Sequence, residues 1–211
     1  HNGGMNPPAK PALPDMEPSA TAEGRYLLYQ GRDMINTCLR SGKPWEPFTQ
    51  IIARLLTDRA ADPVVVDVGA NLGAFAVPLA RMVGDKGKVI AADIQAPMLV
   101  SLQKRAKKQG LEGRIVPHLC KTDSIGIHDP IDVALAFWMV HEVPDQGRFF
   151  HEMKVLLKPQ GKFLLVEPKI HVTGRMFEAI VKKAEEAGFT VTETPKILMS
   201  WAALLSLRKG T

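Results

Sequence analysis

Cysteine is nearly missing from this chain. Cys38 and Cys120 are the only two in 211 residues, and no close spacing joins them. That excludes a disulfide scaffold and a thiolate zinc site. No apolar run approaches the ~18 residues that a membrane span requires. The N-terminus lacks the apolar core of a secretion signal. A soluble protein of a reducing compartment, the cytoplasm, is therefore expected. Aromatic residues make up only 6%, and none interleaves with the densest basic cluster, Lys104, Arg105, Lys107 and Lys108. Without rings to stack bases, that cluster reads as a solvated helix face. Nucleic acid is thus an unlooked-for partner, although a net charge of +5 keeps a nucleic-acid or protein substrate as a second reading. The H-E dipeptides at 141–142 and 151–152 do not extend to H-E-x-x-H, so no metal site is expected.

What is present is globular. Hydrophobic residues reach 45%, and the length suits one domain with a full core. The start, HNGGM, reads as a tag scar before Met5, and Pro7, Pro8, Pro11, Pro14 and Pro18 mark an extended leader over 1–20. Residues 21–58 form a helical prelude. Leu27, Met34, Ile35 and Cys38 share one face, and Phe48, Ile51, Ile52, Leu55 and Leu56 make a second apolar stripe. From residue 59 onward, strands alternate with helices. Strands are expected at 64–68, 88–92, 114–119, 131–137 and 162–166. The helices between them carry Leu72–Val83, Pro97–Gln109, Gln146–Leu157 and Gly174–Ala187. Pro78 should bend the first of these helices, because it removes a backbone bond. Pro159-Gln160-Gly161 reads as a turn. The segments FTVTET and SWAALLSLRK close the chain as two strands with no room for a crossover helix, so the last should run antiparallel. The expected fold is α/β, a Rossmann-like, doubly wound, mostly parallel seven-stranded sheet with an antiparallel last strand and an N-terminal helical lid.

The first strand ends in VVVDVGANLGAF, an apolar run with an aspartate inside and two glycines after it. Glycines let the chain turn sharply and let a ligand come close. A helix starting near Leu72 would aim its free amides at the same spot. Asp93 closes the second strand, where a carboxylate suits the two hydroxyls of a ribose. A nucleoside-containing cofactor is expected. The run is neither G-x-G-x-x-G nor a P-loop with Lys-Ser/Thr.

At these residues the sequence resembles the class I S-adenosylmethionine-dependent methyltransferases. Val64–Gly73 looks like their first motif. The resemblance implies that Asp67, Gly69, Ala70, Asn71 and Gly73 hold the methionine end of S-adenosylmethionine, and of its product S-adenosylhomocysteine. It places Asp93 on the ribose and Ile94 on adenine. Cys120 or Asp123 would meet the adenine edge, and Phe137 and Trp138 would wall the cofactor. The segment FWMVHEVPDQGRFFHEMKVLLKPQGKFLLVEP resembles the ubiquinone and menaquinone biosynthetic type, matching at His141, Asp145, Leu157, Lys158, Pro159 and Gly161. A small-molecule acceptor follows from that resemblance.

His141 is the expected catalytic group, a base or orienter after the fourth strand, because a nucleophile that must lose a proton needs one nearby. Glu167 and His171 follow the fifth strand and are further candidates. Tyr26, Tyr29, Arg32, Glu142 and Lys169 are expected to contact the acceptor. A non-catalytic cofactor-binding domain is the third reading. The oligomeric state is left open.

Overall fold

The structure, a computed structural model, describes residues 46–57 and 62–208. Helix α1 spans Glu46–Thr57. Then follow β1 Val64–Val68, α2 Ala76–Met82, β2 Lys88–Asp93, α3 Ala96–Lys108, β3 Ile115–Leu119 and β4 Ile131–Phe137. A 3-10 turn at Val140–Glu142 precedes α4 Gln146–Leu156, β5 Leu157–Pro168, α5 Gly174–Ala187, β6 Phe189–Glu193 and β7 Ser200–Leu207. The sheet order is β3-β2-β1-β4-β5-β7-β6. All pairs from β3 to β5 are parallel, and β7 runs antiparallel to both β5 and β6.

Period-two alternation sends neighbouring strand residues to opposite faces. Val65 packs with α1, α2 and α3, whereas Val66 and Val68 pack with α4 and α5. Both faces of β1 and β4 are buried, which is why those strands read as continuous apolar runs. Phe150, Phe163 and Phe189 meet edge to face or tilted at 5.9–6.3 Å under α4 and α5. Such pairs contribute about 0.5–1.5 kcal/mol each beyond their buried area. In α1, Ile52, Leu55 and Leu56 are buried in the same cluster as Val65 and Leu204. This part of the prelude is core.

Three local expectations are corrected. The helix after β1 begins at Ala76 and not near Leu72. Gly69, Asn71 and Gly73 all take positive φ (74°, 49° and 78°), so the chain winds through a loop before it can enter a helix. Pro78 is then the third residue of that helix, in the turn whose amides lack an intrahelical partner, so its missing N–H forfeits no bond. The Pro159-Gln160-Gly161 turn lies inside β5, which starts at Leu157. Its partner register jumps from Ile131↔Leu157 to Val133↔Lys162, a bulge that absorbs the extra residues. Lys158 in that bulge bonds Asp132 at 2.8 Å, and the same Asp132 oxygen accepts Val64 N–H at 2.9 Å, tying β1, β4 and β5 together.

Candidate active site

The strand order reverses between β1 and β4, so the loops leaving their carboxyl ends diverge and open a crevice. A cavity of about 630 Å³ occupies it. The loop after β1 forms one wall and is tied down by its own amides. Gly69 and Ala70 N–H donate to Ala92 O at 2.8 and 3.0 Å. Gly73 N–H donates to Ala70 O at 2.8 Å, and Leu72 N–H donates to the Asn71 side chain. Asn71 N–H donates to Asp93 Oδ2 at 2.8 Å, and Gln95 N–H to Asp93 Oδ1 at 2.8 Å. The loop is thus pinned to the end of β2, and the free amides expected at residues 69–73 are engaged. A Cβ on Gly69 would stand 3.0 Å from Met139 Cγ, and one on Gly73 would stand 3.0 Å from Leu102. Both positions therefore reject a side chain on space as well as on φ.

Asp67 lies behind this wall. It is 1% exposed, does not line the cavity, and its carboxyl oxygens have no well-formed hydrogen bond, the Ala76 amide making only a poorly aligned approach. Burial pushes its pKa up to about 8, against the Ala76 amide, which lowers it, and with help from the Asp93 charge. At neutral pH the neutral acid is the dominant form.

The far wall comes from β4 and β5. Trp138, directly after β4, takes φ 58°, which is rare for a bulky residue. Its backbone N–H donates to Val166 O at 2.8 Å, and its indole N–H donates to Ser200 Oγ at 3.0 Å. That kink leads the chain into the 3-10 turn carrying His141. Glu167, fully buried near the end of β5, reaches back to this turn. One of its oxygens accepts Val140 N–H at 2.8 Å, and the other bonds His141 Nδ1 at 2.5 Å. With Nδ1–H donated to the carboxylate, Nε2 presents its lone pair. Nε2 is buried without a hydrogen-bond partner, with Glu142 Oε1 3.9 Å away, on a residue that lines the cavity. Burial alone would depress the imidazole. The hydrogen bond and charge of Glu167, with the charge of Glu142, outweigh it and hold the pKa above the ordinary histidine value. Burial raises the Glu142 carboxyl, opposed by His141. His171 stacks on His141 with ring centroids 6.4 Å apart.

A methyltransferase-domain family matches residues 65–161, the span that runs from β1 through the β5 bulge. Over that span the chain is similar to methyltransferase domains. The ubiquinone/menaquinone biosynthesis C-methyltransferase UbiE of Cellvibrio japonicus (strain Ueda107) is 28% identical over 138 residues, 64% of this chain and 54% of that protein. The protein of the same name from Vibrio campbellii (strain ATCC BAA-1116) is 29% identical over 158 residues, 72% of this chain and 59% of that protein. The chain thus spans a little over half the length of these curated relatives. Among solved structures, a SAM-dependent methyltransferase from Aquifex aeolicus matches with a TM-score of 0.63 at 21% identity, over 81% of this chain and 97% of that one. A putative S-adenosylmethionine-dependent methyltransferase from Methanococcus maripaludis matches with a TM-score of 0.67 at 16% identity, over 91% and 99%. These structures share the fold.

Methyltransferases of this kind use S-adenosylmethionine, and the residues present fit that cofactor. Each Asp93 oxygen uses one lone pair on a backbone amide and keeps another, which matches the two donors of a ribose diol. Ile94, Ile125 and Phe137 give the cavity apolar surface for a flat ring. The volume falls within the roughly 300–1,000 Å³ of ligand and cofactor sites.

The cavity gathers most of the residues singled out in the sequence. Gly69, Ala70, Asn71, Asp93, Ile94, Cys120, Asp123, Phe137, Trp138, His141 and Glu142 all line it. Gly73 turns the loop from behind, and Asp67 is buried beneath. Burial, then the charges of Asp93 and Glu152, push the Cys120 thiol up to about 12, so it is a neutral wall group. Asp123 pairs with Arg148 at 3.7 Å. Lys169 stands elsewhere, with Nζ 4.5 Å above the Trp201 ring and outside the cavity lining. Tyr26, Tyr29 and Arg32 lie outside the described residues. Sequence reasoning missed Glu152. From α4 its carboxylate accepts Ile125 N–H at 2.7 Å and Arg148 Nε–H at 3.3 Å, fixing the loop after β3. Its signal was the second H-E dipeptide, weighed only as a metal ligand. Among the described residues, no group of three His, Cys, Asp or Glu could hold a metal ion.

Proposed function

We propose that this chain transfers the methyl group of S-adenosylmethionine to a small-molecule acceptor without a metal ion, and that His141 takes the acceptor's proton. The observation that carries the reading is His141 Nε2 on a cavity-lining residue with no hydrogen-bond partner, with Nδ1 held by the buried Glu167. Relatives named as ubiquinone/menaquinone biosynthesis C-methyltransferases support an acceptor of small size.

The bound cofactor supplies a methyl already activated on a sulfonium sulfur. The protein's own task is then alignment and proton removal. Asp93 anchors the ribose end. Phe137, Trp138 and Met139 exclude water from the walls. With the cofactor bound, His141 Nε2 would take the O–H or N–H proton that the acceptor gives up on methylation. Glu167 stabilises the imidazolium that results and fixes the tautomer beforehand. Glu167 is a positioning residue, since it reaches the acceptor only through His141.

The test uses a panel of phenols, quinols and amines with S-adenosylmethionine, reading S-adenosylhomocysteine formation with and without EDTA. His141→Gln is expected to lower turnover by about 10²–10⁴-fold, with cofactor affinity unchanged. Glu167→Gln removes the group that raises the His141 pKa, so the acid limb of the pH–rate profile moves to lower pH. Full turnover by His141→Gln, or loss in EDTA restored by a divalent ion, would overturn the reading.

A further inference from the structure

Four of the exposed apolar residues lie on adjoining segments where β5 leaves the sheet and β7 enters it: Ile170 (58% exposed, also on the cavity rim), Leu198 (57%), Met199 (49%) and Met176 (46%). The backbone binds these segments together. Lys169 N–H donates to Met199 O at 2.9 Å, and the Trp201 indole donates to Val172 O at 2.8 Å. Trp201 also stacks on Phe177 with centroids 6.3 Å apart, which seats the first turn of α5, with Met176, beside it. Met199 holds φ 54°, an uncommon conformation for a side chain of its size, at the tip of the β6–β7 loop. The chain accepts this strain to present two consecutive apolar side chains, Leu198 and Met199, to solvent.

The polar residues around the patch are mostly of one sign. Lys169, Arg175 and Lys196 are exposed cations on the same three segments. The acids on these elements are Glu178, exposed in the second turn of α5, Glu185 and Glu186 at the far end of α5, and Glu193, bonded to Arg54 at 2.7 Å. Contiguous exposed apolar residues with a cationic rim fit a surface that is apolar below and negative above. Methionines adapt to a fluid partner, whereas a protein partner would require acids at fixed places.

We propose that the β5–α5 turn, the start of α5 and the β6–β7 loop form a docking surface for an anionic lipid bilayer. Among the described residues no helix is long and apolar enough to cross a membrane, so the contact is peripheral. Ile170 belongs both to this patch and to the cavity lining, so a bilayer seated here lies against the cavity rim.

The test is co-sedimentation of the full chain with vesicles of phosphatidylcholine alone and of phosphatidylcholine with phosphatidylserine. Binding to the mixed vesicles is expected, with little to the neutral ones. Reversing three cations (Lys169→Glu, Arg175→Glu, Lys196→Glu) should lower partitioning by at least about a hundredfold, at about fivefold per cation lost. Leu198→Ser, a change at an exposed position that the fold tolerates, should also lower it. Circular dichroism checks that each variant is folded. Reversal of Lys104, Lys107 and Lys108 on α3 should leave binding near the wild-type level. Equal partitioning to both vesicles, none to either, or loss only in the α3 variant would overturn the proposal. So would a dimer in sedimentation velocity that Leu198→Ser abolishes, which would give the patch to a second copy. Vesicle binding is read without turnover, so its failure leaves the methyl-transfer reading intact.

Discussion

Asp93 does two jobs with one carboxylate. It holds the loop after β1 through the Asn71 amide and the start of α3 through the Gln95 amide, and it offers its remaining lone pairs to the cavity. Asp93→Ala should therefore weaken S-adenosylhomocysteine binding by at least about tenfold, since charge-assisted bonds contribute roughly 1.5–3 kcal/mol each. It should also lower stability, because two amides lose their acceptor. Calorimetric titration and urea unfolding separate the two effects. Asp67 makes the opposite case. Its pKa is raised from 3.8 unfolded to about 8 folded, so the folded state holds the proton more tightly. The neutral form's stability is fully present below pH 3.8 and is lost as pH rises toward 8. Asp67→Asn cannot ionise. Its melting temperature relative to the wild type should climb across that window, at roughly 2–4 °C per kcal/mol for a chain of this size. A pH-independent difference would show that the carboxyl is not buried as neutral acid. His141 was legible in the sequence from its place after β4. The depth of Asp67 was not, because an acid inside an apolar run looks the same whether it faces a ligand or the back of a loop.

At the scale of elements, the seven strands and the direction of the last one follow from the apolar rhythm and from the lengths of the connections. Boundaries were legible where one force sets them. Gly188 at φ 106° ends α5 where expected, with Thr173 capping its start through the Met176 amide. They were illegible where tertiary pairing overrides local signals. Leu157-Lys158-Pro159-Gln160-Gly161 reads as helix end and turn, yet it pairs with β4, because the bulge lets Lys158 reach Asp132. Lys158→Ala should cost about 1–2 kcal/mol, as the Asp132 carboxylate loses its cation but keeps the Val64 amide. A urea midpoint equal to the wild type would make the bridge incidental.

For the whole molecule, α1 decides where the chain can be cut. Deleting residues 1–44 keeps Ile52, Leu55 and Leu56, whereas deleting up to Asp58 strips three buried side chains from the core. Each contributes about 1.5–3 kcal/mol by its burial. The longer deletion should melt at a lower temperature and bind cofactor poorly, while the shorter one keeps the cofactor site. Equal melting of the two would place α1 outside the cooperative core. The order β5-β7-β6 also governs how the fold is reached. β6 is made before β7 yet pairs with no other strand, so during synthesis it waits with both edges open. Until β7 emerges and slides between its neighbours, β5 likewise keeps an unpaired border. The half of the sheet carrying the nucleoside loops can close early, from sequential parallel units. The other half must wait for the insertion of a late strand, and in that interval it is the part of the nascent chain most open to mispairing.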